Sequence, residues 1–118
     1  MSAETVLYST LSSAAAVSAI VSTRIYPDVA PQEVALPCVA FSRTGTETIG
    51  TLSSAVVSSK ATLECWCMSN SRATAETLGD AVQAAAAAQW FTPTSRRAEY
   101  DQDAQLWAVA LTFDYWET

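Results

Sequence analysis

The stretch Leu106-Trp107-Ala108-Val109-Ala110-Leu111-Thr112-Phe113-Asp114-Tyr115-Trp116 decides the fold. In an extended chain successive side chains point to opposite faces, so Trp107, Val109, Leu111, Phe113 and Tyr115 share one face. Leu106, Ala108, Ala110, Thr112, Asp114 and Trp116 share the other. The first face is uniformly large. The strongest helical pattern in the chain, residues 72–89, is small: Ala75, Leu78, Val82, Ala85 and Ala86 recur at helical spacing, with Glu76, Asp80 and Gln83 off that stripe. Large side chains from a sheet against small ones from a helix fill space well.

Working outward, Asn70 or Ser71 is the expected cap of that helix, and Pro93 prevents its continuation. Residues 96–101 form a polar strand that turns near Asp101-Gln102-Asp103 into the last one. Residues 60–68 form another strand, Leu63, Cys65 and Cys67 alternating with Thr62, Glu64, Trp66 and Met68. In a further strand, 38–44, Val39 and Phe41 face one way and Ala40 and Ser42 the other. Residues 44–59, rich in Ser, Thr and Gly with Glu47 as one acid, read as a long loop or two-stranded arm. The arm is expected to be mobile in a free subunit and ordered against a neighbour. Upstream, residues 2–13 and 14–21 read as two helices capped by Ser2 and Ser13. Arg24 to Pro27 is extended ahead of the proline, and Pro27, Pro31 and Pro37 punctuate a surface connection. The chain therefore predicts a single α+β domain over residues 1–118: a mostly antiparallel four-stranded sheet with helices packed on one face.

Composition excludes several chemistries. Half of the 118 residues are hydrophobic, but 22 of them are Ala, so the core is modest. Six basic against twelve acidic residues give a net charge of −6, which disfavours general nucleic-acid binding through phosphate neutralisation. With no His, the Ser–His and Cys–His dyads and His-ligated zinc are absent. Three Gly do not build a phosphate-cradling loop. These absences favour a binding or structural protein over an enzyme, and no cofactor or metal is expected. The apolar residues 6–21 follow an acid, Glu4, and no base, and contain several Ser and Thr. This reads as a helix, with neither a signal peptide nor a membrane span expected. Cys38, Cys65 and Cys67 read as small core residues.

Some side chains have two readings. Glu99, Asp101 and Asp103 alternate and could hold a hard cation, or form a solvated acidic hairpin end beside Arg96 and Arg97. The pair Arg96-Arg97 is an exposed or partner-docking charge rather than a DNA site. Ser12-Ser13 and Ser53-Ser54 have Lys60 as the one available lysine for a dyad. Trp66, Met68 and Trp116 fall opposite the core face, among Thr, Glu and Asp. They bury either against something outside the monomer or under the arm or the 24–37 segment.

Arg24-Ile25-Tyr26-Pro27-Asp28, Pro31-Gln32 and Leu36-Pro37-Cys38-Val39 together resemble the opening of the small phage tail-completion (tail-terminator) proteins. The likeness continues through Leu63-Glu64-Cys65-Trp66, the helix from Ala73 to Val82, and the aromatic strand ending Phe113-Asp114-Tyr115-Trp116. The stretch from Arg96-Arg97 to Trp107 is similar to the lambda-type tail terminator. Cys67 departs from the usual small residue there, and residues 44–59 match least. The resemblance implies a non-enzymatic ring, usually a hexamer. Such a ring caps the head-proximal end of the tail tube, stops tube growth and meets the head-tail connector, while DNA passes through its lumen without sequence-specific binding. It implies a place in the virion tail or neck and, during assembly, in the host cytoplasm. On that reading Trp66, Met68, Trp116, Glu47, Arg96 and Arg97 are the candidate subunit or partner contacts. The alternatives are another neck or tail protein, such as a head-closure or tube subunit, and an unrelated cytosolic α+β binding domain or enzyme.

Overall fold

A computed structural model describes residues 3–28, 36–50 and 57–117. Two short helices, α1 (Ala3–Ser13) and α2 (Ala15–Val21), precede strands β1 (Ile25–Pro27), β2 (Cys38–Gly50) and β3 (Val57–Ser69). Helix α3 (Arg72–Ala87) follows, and β4 (Thr92–Asp101) and β5 (Leu106–Glu117) close the chain. The strands form one sheet in the order β1-β2-β3-β5-β4. The α+β class and the helix-covered face agree with the sequence. The strand count does not: the sheet has five strands rather than four, because β1 joins it in parallel to β2, Ile25 opposite Val39 and Pro27 opposite Phe41. The stretch before Pro27 is held extended. The Val39 amide donates to the Arg24 carbonyl at 3.0 Å and the Asp28 amide to the Phe41 carbonyl at 2.6 Å, so the stretch docks as an edge strand, where proline is tolerated.

The helix-covered face holds the core. Leu7 and Leu11 of α1, Val17 and Val21 of α2, and Ala75, Leu78, Val82 and Ala86 of α3 bury against Val39, Phe41, Ala61, Leu63, Cys65, Cys67, Val109, Leu111 and Phe113. The expected alternation of β3 and β5 is present throughout. α1 and α2 are bent by 80° at their junction. Ala14, not Ser13, is the N-cap of α2, with no side-chain cap bond. Ser2 lies outside the described residues. Ser71 caps α3 in an extended conformation without a side-chain bond, and Ser69 Oγ accepts from its amide at 3.2 Å.

The predicted arm is a continuation of β2 and β3. Their ladder runs from Cys38 opposite Met68 to Gly50 opposite Val57, with a bulge between Arg43 and Gly45. Residues 51–56, including Ser53-Ser54, and residues 29–35, including Pro31, lie outside the described part. β5 accompanies β3 only as far as Glu117 opposite Ser59, so the ladder beyond has two strands. The molecule extends 53 × 29 × 22 Å.

The bulge sets the direction in which Glu47 points. An extra residue in one strand switches the face on which later side chains stand. Arg43 is opposite Leu63 and faces the helices, where its Nη2 meets Glu4 Oε1 at 2.6 Å. After the bulge Glu47 is opposite Lys60, on the uncovered face.

Candidate functional site

The face of the sheet away from the helices is the candidate site. Cross-strand register lines its residues into rows. One row reads Ala40, Trp66, Ala110, Arg97 and the next Cys38, Met68, Ala108, Glu99. The Arg97 guanidinium lies 5.2 Å from the centre of the Trp66 ring. Its Nε donates to Glu99 Oε1 at 2.7 Å, and its Nη2 lies 3.6 Å from Glu64 Oε1. Trp66 thus stands between two alanines with a cation over its π face. Beside it a cavity of about 660 Å³ runs to the β4–β5 turn, lined among others by Met68, Leu106, Asp101 and Asp103.

Farther along β3 and β5 the face is polar, with Thr62 Oγ1 donating to Asp114 Oδ1 at 3.1 Å. Beyond that strip comes a second apolar point. Trp116, 50% exposed, is opposite Lys60, and Lys60 Nζ pairs with Glu47 Oε2 at 3.3 Å. Six residues of strand separate Ala110, the neighbour of Trp66, from Trp116, which is roughly 20 Å. The candidate residues therefore fall in two groups on one face: Trp66, Met68 and Arg97 near the hairpin, and Glu47 and Trp116 at the base of the arm.

Arg96 stands apart. Alternation turns it to the helix side, where it bonds Asp80 Oδ1 at 2.9 Å, Glu76 Oε2 at 3.1 Å and Gln83 Oε1 at 3.1 Å. Partial burial pulls its pKa down, and the bonds to Asp80 and Glu76 more than reverse this. Arg96 ties the edge strand β4 to α3. Of the acidic trio, Glu99 pairs with Arg97 and Asp101 Oδ1 accepts from the amides of Asp103 and Ala104. Among the described residues no group of His, Cys, Asp and Glu is arranged to hold a metal ion.

The sequence profile of the tail completion protein gp17 family matches residues 5–118, almost the whole chain. The chain belongs to that family. It is a structural protein of the bacteriophage tail, as the resemblance in its residues implied. A solved virion of a native gene transfer agent particle contains a chain of the same fold. The TM-score is 0.66 at 17% identity, over 92% of this chain and 88% of that one. No curated protein matches.

Two features of this tail-completion chain are not announced by its sequence. Gly79 of α3 lies where an added Cβ would come within 3.0 Å of Val109 Cγ1 and 3.2 Å of Arg96 Nη2; it lets helix, strand and guanidinium meet closely. Trp90 ends α3 with φ of 70° and is 85% exposed. Its amide donates to the Ala87 carbonyl, and that of Phe91 to the Ala86 carbonyl. This helix-ending pattern usually places Gly where Trp90 stands. A glycine here would have signalled the turn; a tryptophan hides it. The three cysteines are buried thiols as expected. Burial pushes all three above the ordinary thiol value, Cys67 to about 12.

Proposed function

We propose that this chain forms a ring, a hexamer, that caps the head-proximal end of the tail tube, stops tube growth and joins the tail to the head connector. The observation that carries this beyond family membership is the two-part open face. Each subunit offers one apolar group near the β4–β5 hairpin and another about 20 Å away at the arm base. Two separate surfaces let one subunit meet both a neighbouring copy and another tail or neck protein, and head-to-tail contacts between copies close into rings when the rotation allows. Trp66, Met68, Trp116, Glu47 and Arg97 are the contact residues in this reading, with Arg96 bracing the strand beneath them. The net charge of −6 suits a conduit through which DNA passes without sticking. Assembly takes place in the host cytoplasm, the completed protein resides in the virion tail, and the role is structural rather than enzymatic.

Cryo-electron microscopy of purified tails tests the reading. A sixfold ring of this protein at the head-proximal end of the tube is expected; tails that lack the protein would overturn it. Amide exchange adds a second test. Residues 45–50 and 57–60 should exchange faster in the free subunit than Leu63–Cys67, and should slow in tails.

A further inference from the structure

The cavity between Trp66 and the β4–β5 turn combines three kinds of group. Its floor and side are apolar, from Trp66, Met68 and Leu106. Its end carries the carboxylates Asp101 and Asp103. Its chemistry is illustrated next door, where Arg97 lies over the Trp66 ring with Glu64 and Glu99 on its nitrogens. An indole face flanked by carboxylates is a favourable setting for a guanidinium.

Among the described residues no basic side chain is paired with Asp101 or Asp103. The chain has six basic residues, all within the described segments. Arg24 bonds the Pro37 and Ile20 carbonyls. Arg43 pairs with Glu4, Lys60 with Glu47, and Arg96 with Glu76 and Asp80. Arg72 lies 5.2 Å from the centre of the Trp107 ring, and Arg97 is engaged on the open face. Five of the six are thus bonded to acceptors of their own subunit, Arg72 rests on an indole face, and none of these contacts is with Asp101 or Asp103. A second copy carries the same net charge of −6, which makes it a poor occupant of an acidic groove. The complementary occupant is a different protein.

We infer that the groove between Trp66 and the Asp101–Asp103 turn binds an extended segment of another virion protein carrying arginine or lysine beside aliphatic residues. The segment's apolar side chains lie on Trp66, Met68 and Leu106, and its cation meets Asp101 and Asp103. Burial of the aromatic supplies affinity, and the charges supply orientation and choice of partner. This rests on the open face being a docking face of a tail-completion subunit, and it assigns the hairpin end to a basic partner rather than to a neighbouring copy.

The experiment uses the full-length purified protein and a fluorescein-labelled synthetic peptide of alternating arginine and leucine, read by anisotropy. A peptide of the same length with glutamate in place of arginine is the control. The basic peptide is expected to bind with an affinity that falls as salt rises, and the acidic control is expected not to bind. The double variant Asp101→Asn/Asp103→Asn keeps the oxygen that accepts the turn amides while removing both charges. It should melt as wild type and bind about tenfold more weakly, the equivalent of one lost charge-assisted contact. Trp66→Phe keeps an aromatic body and should lose several-fold. Three results overturn the inference: no binding of the basic peptide, equal binding of the acidic one, or unchanged binding by the double variant. Its failure is separable from that of the ring. Rings on tails with no peptide binding would sink the groove alone, whereas peptide binding with the protein absent from tails would sink the ring alone.

Discussion

The two faces of the sheet are made by the same strands and differ in what they ask of each residue. On β3, Ala61, Leu63, Cys65 and Cys67 are fully buried under the helices, while Thr62, Glu64, Trp66 and Met68, between them, are half-buried on the other side. On the covered face volume decides: Phe113 meets Phe91 edge-on with ring centres 6.3 Å apart, and Phe91 stacks on Tyr115 at 4.4 Å. On the open face apolar groups come with cations and carboxylates. Ala40, Ala108 and Ala110 are nearly buried there too, because they flank Trp66 and Met68 in register. One face holds the subunit together. The other keeps large aromatic surface that the fold does not consume.

The sharpest way to break this contrast is to truncate matched aromatics on the two faces. Phe113→Ala should destabilise the subunit by about 3–5 kcal/mol, the usual result of emptying a packed aromatic site. Urea titration of the free protein measures it. Equal losses for Phe113→Ala and Trp116→Ala would mean that both faces contribute alike to folding.

The thiols test how dry the covered face is. Burial holds the folded pKa of Cys67 near 12. Below pH 9 both folded and unfolded chains keep the proton, and pH has no leverage through this group. From pH 9 towards 12 the unfolded chain releases the proton while the folded one keeps it, so stability falls, by up to about 1.4 kcal/mol per pH unit. Urea midpoints should drop over that range in the parent and less steeply in Cys67→Ala. At pH 8 a thiol reagent should label neither Cys65 nor Cys67 before unfolding.

Close approach of helix and sheet gives the next effect. Gly79→Val places methyl groups against Val109 and Arg96 and should cost about 1–3 kcal/mol. Tolerance would show that α3 lifts away from β5 easily. On the open face, Trp66→Ala removes a half-buried ring and its contact with Arg97, for about 1–2 kcal/mol of subunit stability. Trp116→Ala should cost under about 0.5 kcal/mol. Both should lower the number of completed tails per lysate far more than those losses explain. A normal yield of tails would return the face to solvent.

Much of the fold is legible in the residues because alternation is a strong signal. Trp107 to Tyr115 announce a covered face, and Trp66, Met68 and Trp116 are placed opposite it by parity alone. What is illegible depends on partners far apart in sequence. Arg96 and Arg97 look alike as a pair, yet alternation sends Arg96 to Asp80 and Glu76 and Arg97 to Trp66. That split needs α3 to lie across β4. The bulge at residues 43–45 carries Glu47 to the open face, and no residue type marks it uniquely. β1 reads as a connection because three residues are too few to show a period. The division of the open face into two groups also comes from the register, not from the residue types.

The smallest expected effect has the opposite sign. Trp90 occupies a left-handed position with most of its side chain in water. A residue with a Cβ is held there at a cost of roughly 1 kcal/mol that glycine avoids. Glycine has more freedom to lose on folding, which offsets part of the gain. Trp90→Gly should therefore stabilise the free subunit, by up to about 1 kcal/mol, visible as a higher urea midpoint with an unchanged slope. A lower midpoint would show that the indole packs against the end of α3 and belongs with the covered face. If the midpoint rises while the yield of completed tails falls, Trp90 joins Trp66 and Trp116 as aromatic surface kept for assembly at the expense of the subunit's own stability. It would be the one such residue placed at the helix end rather than on the open sheet.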